Sequence, residues 1–304
     1  MTRIIAALVC IGWLAAIPPA GAQTRPAIVI ATGVDPSFSG YFVAQQGGFF
    51  KKHGLDVTIN TGPSGSAMIA FVIRNQVQSA FGAEQAGIQD FNLDNDVVVV
   101  AEGAELLRWH GIVGRNLKTL DDLKGKRLGV ATATGSEEFW LAVVEAKKLN
   151  PSDYTIVRVD APEMIAGLER NDLDAYSAWE PWVTRGTHMV ADSRIIQGPE
   201  GILSHRVFVY MNKSWIEGNP GPAKAFLTAL VEATDFIGSH PDEAAGQVAK
   251  ALQLDRALTA ELMPKLRFDI RLDQNSVDGL RRSEQQLLGA AAGGAQETRQ
   301  ASRL

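Results

Sequence analysis

Residues 27–60 read AIVIATGVDPSFSGYFVAQQGGFFKKHGLDVTIN. Ala27–Ala31 is a short apolar run suited to a strand, and Gly40–Lys52 repeats apolar residues at helical spacing. Leu55, Val57 and Ile59 then alternate on one face, after Gly54 at a helix-stopping position. The order is strand, helix, strand, and it continues: Ser66–Asn75 reads as helix, Ser79–Gly82 as strand, Gln85–Asn92 as helix and Asp96–Glu102 as strand. A second series follows, with strands at Arg127–Ala131, Tyr154–Val159 and Leu173–Ala178. Its helices are Ser136–Leu149, Pro162–Arg170 and a short one opened by Pro181.

After Arg206 one more strand, Val207–Met211, precedes a stretch from Pro220 to Leu288 that reads as almost wholly helical. This predicts an α/β protein of two lobes with a helical C-terminal part. Residues 23–112 with 207–288 form lobe 1 and 113–206 form lobe 2; the chain leaves near His110–Arg115 and returns near Ser204–Val209. Two such crossovers make a hinge. Residues 289–304 carry too little apolar content to order themselves and read as a loose tail.

The N-terminus has the secretory pattern: a basic start at Arg3, an apolar run Ile4–Ile17, and Ala20-Gly21-Ala22 as the cleavage context. The run is too short for a helix across a hydrocarbon core of about 30 Å, so removal after Ala22 and a periplasmic location are expected. Cys10, the one cysteine, lies inside it. The exported chain would hold no disulfide and no cysteine-ligated metal. Lys and Arg total 29 against 34 Asp and Glu, spread along the chain, which argues against nucleic-acid binding through a basic face.

Tyr41–Phe50 (YFVAQQGGFF) followed by Gly54–Val57, Thr119–Val130 (TLDDLKGKRLGV) and Asp174–Pro181 (DAYSAWEP) together resemble the periplasmic binding proteins of the nitrate, sulfonate and taurine importers. That group is related in fold to thiamine-precursor binding and synthesis proteins. The resemblance spans roughly Ile28 to Leu288 and implies the type II periplasmic-binding-protein fold, a small-molecule ligand held between the lobes, and an ABC importer permease as partner. No cofactor or metal is implied, and a monomer is expected. Ligand loops correspond here to Ser37, Phe38, Ser39, Gly40 and Tyr41; to Ser64, Gly65 and Ser66; and to Glu84 and Gln85. Thr134, Gly135, Ser136 and Glu137, with Trp179 and Glu180, supply the loops of the second lobe.

All these loops precede helices, whose first amides lack partners within the helix and favour an anion or polar oxygen. Glycine lets a ligand approach the backbone, and a hydroxyl adds a donor. Each serine could equally cap its own helix, Trp179 could close over a ligand or pack in a core, and Phe42 reads as core. The carboxylates of Glu84, Glu137, Glu138 and Glu180 sit awkwardly beside an anionic head group. They either complement helix amino ends or indicate a neutral, zwitterionic or cationic ligand such as a heterocycle or amine. Arg108 with Trp109 reads as a solvated pair.

Catalysis finds little support. There is no phosphate-loop or His-Glu-x-x-His motif, and Gly62–Ser66 misses the hydrolase elbow at its last position. The five histidines, His53, His110, His188, His205 and His240, are scattered and read as surface or structural residues. The precursor-synthesis branch would imply an enzyme, but its cysteine-rich segment is missing. A receptor-linked sensing protein would have the same sequence features, and fold alone separates none of these.

Overall fold

The computed structural model describes residues 26–62, 65–84, 96–132, 134–203, 205–281 and 283–285. The expected signal segment, the helix at Gln85–Asn92, and Ser64, Gln85 and the tail 289–304 lie outside the described residues, as does the side chain of Ser66. Among the described residues no helix is long and apolar enough to cross a membrane.

Strands β1 (Ala27–Gly33), β2 (Asp56–Gly62) and β3 (Ser79–Ala83) are parallel neighbours, joined through α1 (Ser39–Gln46), α2 (Phe49–Lys52) and α3 (Gly65–Ile73). Ile28 lies opposite Val57 and Ile30 opposite Ile59. The single helix expected over Gly40–Lys52 is broken at Gly47-Gly48. Gly48 has φ 75°, a left-handed conformation that side chains resist. The long strands β4 (Val97–Leu106) and β10 (His205–Asn212) add antiparallel, and β11 (Leu266–Arg271) closes the edge, giving the order β11-β4-β10-β3-β1-β2.

The second sheet runs β7-β6-β8-β5-β9. It is built from β5 (His110–Arg115), β6 (Arg127–Val130), β7 (Thr155–Arg158), β8 (Ala175–Trp179) and β9 (Ser193–Gln197). Helices α4 (Gly135–Lys147) and α5 (Ala161–Glu169) make its parallel crossovers, and α6 (Trp182–Met189) follows β8. The chain therefore changes sheet between β4 and β5, within residues 107–109, and again between β9 and β10. Each passage falls a few residues before the segments read from the sequence, because His110–Arg115 and His205–Asn212 are themselves strands.

Three helices, α8 (Pro220–Ser239), α9 (Pro241–Leu252) and α10 (Arg256–Leu262), follow the short α7 (Lys213–Gly218). Phe226 of α8 stacks on Phe50 at 5.4 Å between centroids and meets Tyr41 at 5.9 Å, so α8 seals the first core. The almost wholly helical pattern expected for this region is interrupted by β11. In Leu266–Arg271 the apolar residues Leu266, Phe268 and Ile270 alternate with Arg267, Asp269 and Arg271, the period of an edge strand. Arg271 donates to the buried Glu102 of β4 at 2.9 Å, and Ser276 donates to the same carboxylate at 2.7 Å.

Candidate functional site

The carboxyl ends of β1 and β3 from the first lobe face α4 and the end of β8 from the second, where open α/β sheets place ligands. A cavity of roughly 90 Å³ lies there, lined by residues of both lobes. Ser37, Phe38, Gly65, Thr134, Gly135 and Trp179, all expected at the site, border it. Trp179 is half-buried and packs against the cores of both lobes, so the bordering indole is also a joint between them.

Two glycines have visible reasons. A Cβ on Gly65 would lie 2.7 Å from the Cα of Gly82 and 2.9 Å from the Phe38 ring, and one on Gly135 would lie 2.7 Å from His110 Nε2. Only glycine lets α3 and α4 come this close to the cavity floor.

Other expected residues turn away from it. Ser39 donates to the Pro36 carbonyl at 2.6 Å, and Gly40 packs toward Thr234 and Phe81. Tyr41 is buried, with its hydroxyl 2.7 Å from Ser79 Oγ, and burial raises its phenol pKa. Ser136 donates to Ser177 O at 2.6 Å and accepts from Ala131 N at 3.0 Å, pinning α4 to β8 inside its own lobe. Capping belongs to Thr134, whose hydroxyl accepts from Ser136 N at 3.2 Å and donates to Ala131 O at 2.7 Å. Glu137 is half-buried on the first turn of α4, outside the lining.

The carboxylates separate by their neighbours. Glu84 is fully buried in the first lobe; burial pushes its carboxyl up to about 8, against the opposing influence of Ser283 and Arg206. Glu180, 1% exposed, accepts from Thr184 N and Thr184 Oγ1 at 2.9 Å and from Lys265 Nζ. Neither borders the cavity.

Asp35, not among the residues expected from the sequence, does border it. Its Oδ1 accepts from Ser37 N at 2.9 Å and from Ser37 Oγ, and burial pushes its carboxyl up to about 6 despite those two bonds. Leu106, Trp109, His110, His205 and Val207 complete the wall. His110 opens β5 and His205 opens β10, one at each passage between the sheets, and their rings stack at 5.1 Å with 10° between planes. This corrects the reading of the histidines as scattered.

Burial holds His110 well below the ordinary imidazole range, with His205 adding to the effect, and burial beside Arg206 lowers His205 to about 4. Both rings are therefore neutral at pH 7, and the approach of Glu138 Oε2 to His205 Nδ1 at 3.7 Å is no ion pair there. Trp109, read as half of a solvated pair, is 2% exposed. The signal that could have found these residues was the double crossover itself, since whatever opens the strand after each passage must face the cleft.

The described lining thus offers one carboxyl, two hydroxyls, two neutral imidazoles and aromatic walls, with no lysine or arginine among them. Such a surface can desolvate a small ligand and fix it by hydrogen bonds.

The family model described as NMT1/THI5 like matches residues 35–244. A Bacillus subtilis protein named for aliphatic sulfonate binding is 24% identical over 247 residues, covering 77% of this chain and 73% of its own. A Haemophilus influenzae protein named for thiamine biosynthesis is 25% identical over 243 residues, covering 74% and 73%. Among solved structures, the periplasmic aliphatic sulphonate binding protein of Escherichia coli superposes with a TM-score of 0.78 at 15% identity, over 88% of this chain and 93% of that one. That likeness gives the fold: two α/β lobes of the periplasmic-binding-protein type.

Proposed function

Because the chain belongs to the NMT1/THI5-like family, we propose that it is an extracytoplasmic solute-binding protein that captures a small polar molecule between its lobes and hands it to the permease of an ABC importer. It binds and does not catalyse. The observation that carries this reading is a cavity bordered by Asp35, Ser37 and Gly65 of one lobe and Thr134, Gly135 and Trp179 of the other. A ligand can bias closure only through contacts that differ between open and closed forms, and a ligand touching both lobes makes them. Export rests on the leader-like pattern of residues 1–22.

The relative named for aliphatic sulfonate binding, with a Nostoc relative named for nitrate/nitrite binding, supports the sulfonate, taurine or nitrate type of ligand expected from the sequence, bound by the amino ends of α3 and α4. Asp35 and the neutral imidazole pair favour a second reading, a neutral or cationic heterocycle or amine. A carboxylate in the wall repels an anion, and no lysine or arginine among the described lining offsets it.

A thermal-shift screen against sulfonates, taurine, nitrate, amines, thiamine precursors and small heterocycles tests both. A ligand at 100 times its Kd adds about 2.7 kcal/mol, a shift of several degrees or less. A sulfonate or nitrate hit supports the first reading and a heterocycle or amine hit the second. No hit, with no co-purified ligand by mass spectrometry, contradicts solute capture.

A further inference from the structure

Beside the cavity, a ring of bonds passes twice between the lobes. Lys265 belongs to the first lobe, in the 3-10 turn Met263–Lys265 that leads into β11. Its carbonyl accepts from Leu107 N at 3.0 Å and Arg108 N at 3.1 Å, in the outgoing passage between sheets. Its ammonium reaches across to the second lobe, where it donates to Glu180 Oε1 and, at 2.7 Å, to Thr184 Oγ1. Glu180 closes the ring, its own N–H donating to Trp109 O at 2.9 Å. Both indoles of the cavity wall are next in sequence to a group this lysine holds: Trp109 follows Arg108, and Trp179 precedes Glu180.

We propose that Lys265 is a positioning residue for ligand capture: by holding Glu180 and Thr184 it sets the angle between the lobes before any ligand arrives, and with it how Trp109 faces Trp179. Glu180 is 1% exposed and the Lys265 side chain 19%. A rotation that parts them strands a buried carboxylate, which is strongly disfavoured, so the resting angle is narrow. The nearby His188–Glu261 pair, 3.8 Å apart with both side chains about half exposed, cannot replace this restraint. The proposal rests on the reading of the cleft as the ligand site, yet the angle itself is measurable without ligand.

The test is a spin-label distance between the lobes in the ligand-free protein. Cys10→Ser removes the one native cysteine, and Leu141→Cys on α4 and Lys224→Cys on α8, both exposed, carry the labels. The parent should give one narrow distance distribution. Lys265→Met with Glu180→Gln, which removes the contact without leaving a lone charge, should broaden it at least about twofold or displace its mean. Thr184→Val keeps both charges, removes one acceptor and should move the distribution less in the same direction; it decides the matter if the double variant does not fold. Distributions that match the parent overturn the positioning role and leave solute capture standing. A blank ligand screen with a broadened distribution would do the reverse.

Discussion

The segments at residues 35–38, after β1, and 179–184, from the end of β8 into α6, come together at the cleft, and each carries a carboxylate. Glu180 is met by Lys265 and Thr184 and is withdrawn from the cavity. Among the described residues Asp35 has Ser37 as its hydrogen-bond donor, and it stays at the cavity edge, with burial pushing its carboxyl up to about 6. Topology puts both acids at the cleft; the nearest cation decides which one a ligand can meet. An acid at the end of a strand is therefore no evidence for or against an anionic ligand until its partner is known.

The largest break in this comparison comes from removing the cation. Lys265→Met alone leaves Glu180 buried without its counter-charge and should cost about 3–5 kcal/mol in urea unfolding, with most of that loss recovered when Glu180→Gln is added. If the single variant is as stable as the parent, Glu180 is not held as described.

Acid should act next, and the signs oppose. His205, held at about 4 against an ordinary 6.5, contributes stability that is complete above about pH 6.5 and is lost as pH falls toward 4, up to roughly 3 kcal/mol. His110 is shifted the same way. Asp35 is shifted upward, so its contribution is complete below its unfolded pKa of about 3.9 and is lost as pH rises through about 6. Asp35 and Glu84, whose carboxyl is pushed up to about 8, both act against the two imidazoles, so the readout is the change each variant makes to the slope of melting temperature between about pH 6.5 and 4: His205→Gln should remove a loss on acidification, and Asp35→Asn should remove a gain. An unchanged slope in both variants would remove these groups from the account.

Two smaller perturbations sharpen the lobe comparison. Gly65→Ala forces a methyl against Gly82 and Phe38 and should cost about 1–3 kcal/mol, displacing the loop that holds Asp35. Thr134→Ala removes the cap of α4 and should cost about 1 kcal/mol. Chemical denaturation ranks the two, and a larger effect for Thr134 would contradict the packing at Gly65.

Much of the fold was legible because its βαβ units are local: Leu55, Val57 and Ile59 alternate, and Gly54 ends a helix. β11 was missed although Leu266–Arg271 alternates cleanly, because six residues between helices and a 3-10 turn are outweighed by the surrounding helical period. At the site, Thr134, Gly135 and Trp179 could be read from their positions before helices. Ser39 and Ser136 carried the same signal, and only the bonds to Pro36 and Ser177 show that they serve their own lobe. His110 and His205 lie far apart in sequence, and their stacking depends on both passages between sheets, which no local pattern reports.

Amide hydrogen exchange during titration with the first thermal-shift hit tests the central claim most directly. Solute capture between the lobes predicts that protection rises at residues 35–38 and 65–67 and, with the same midpoint, at 134–136 and 179–180. Protection confined to one lobe, or lying away from the cleft, would contradict it.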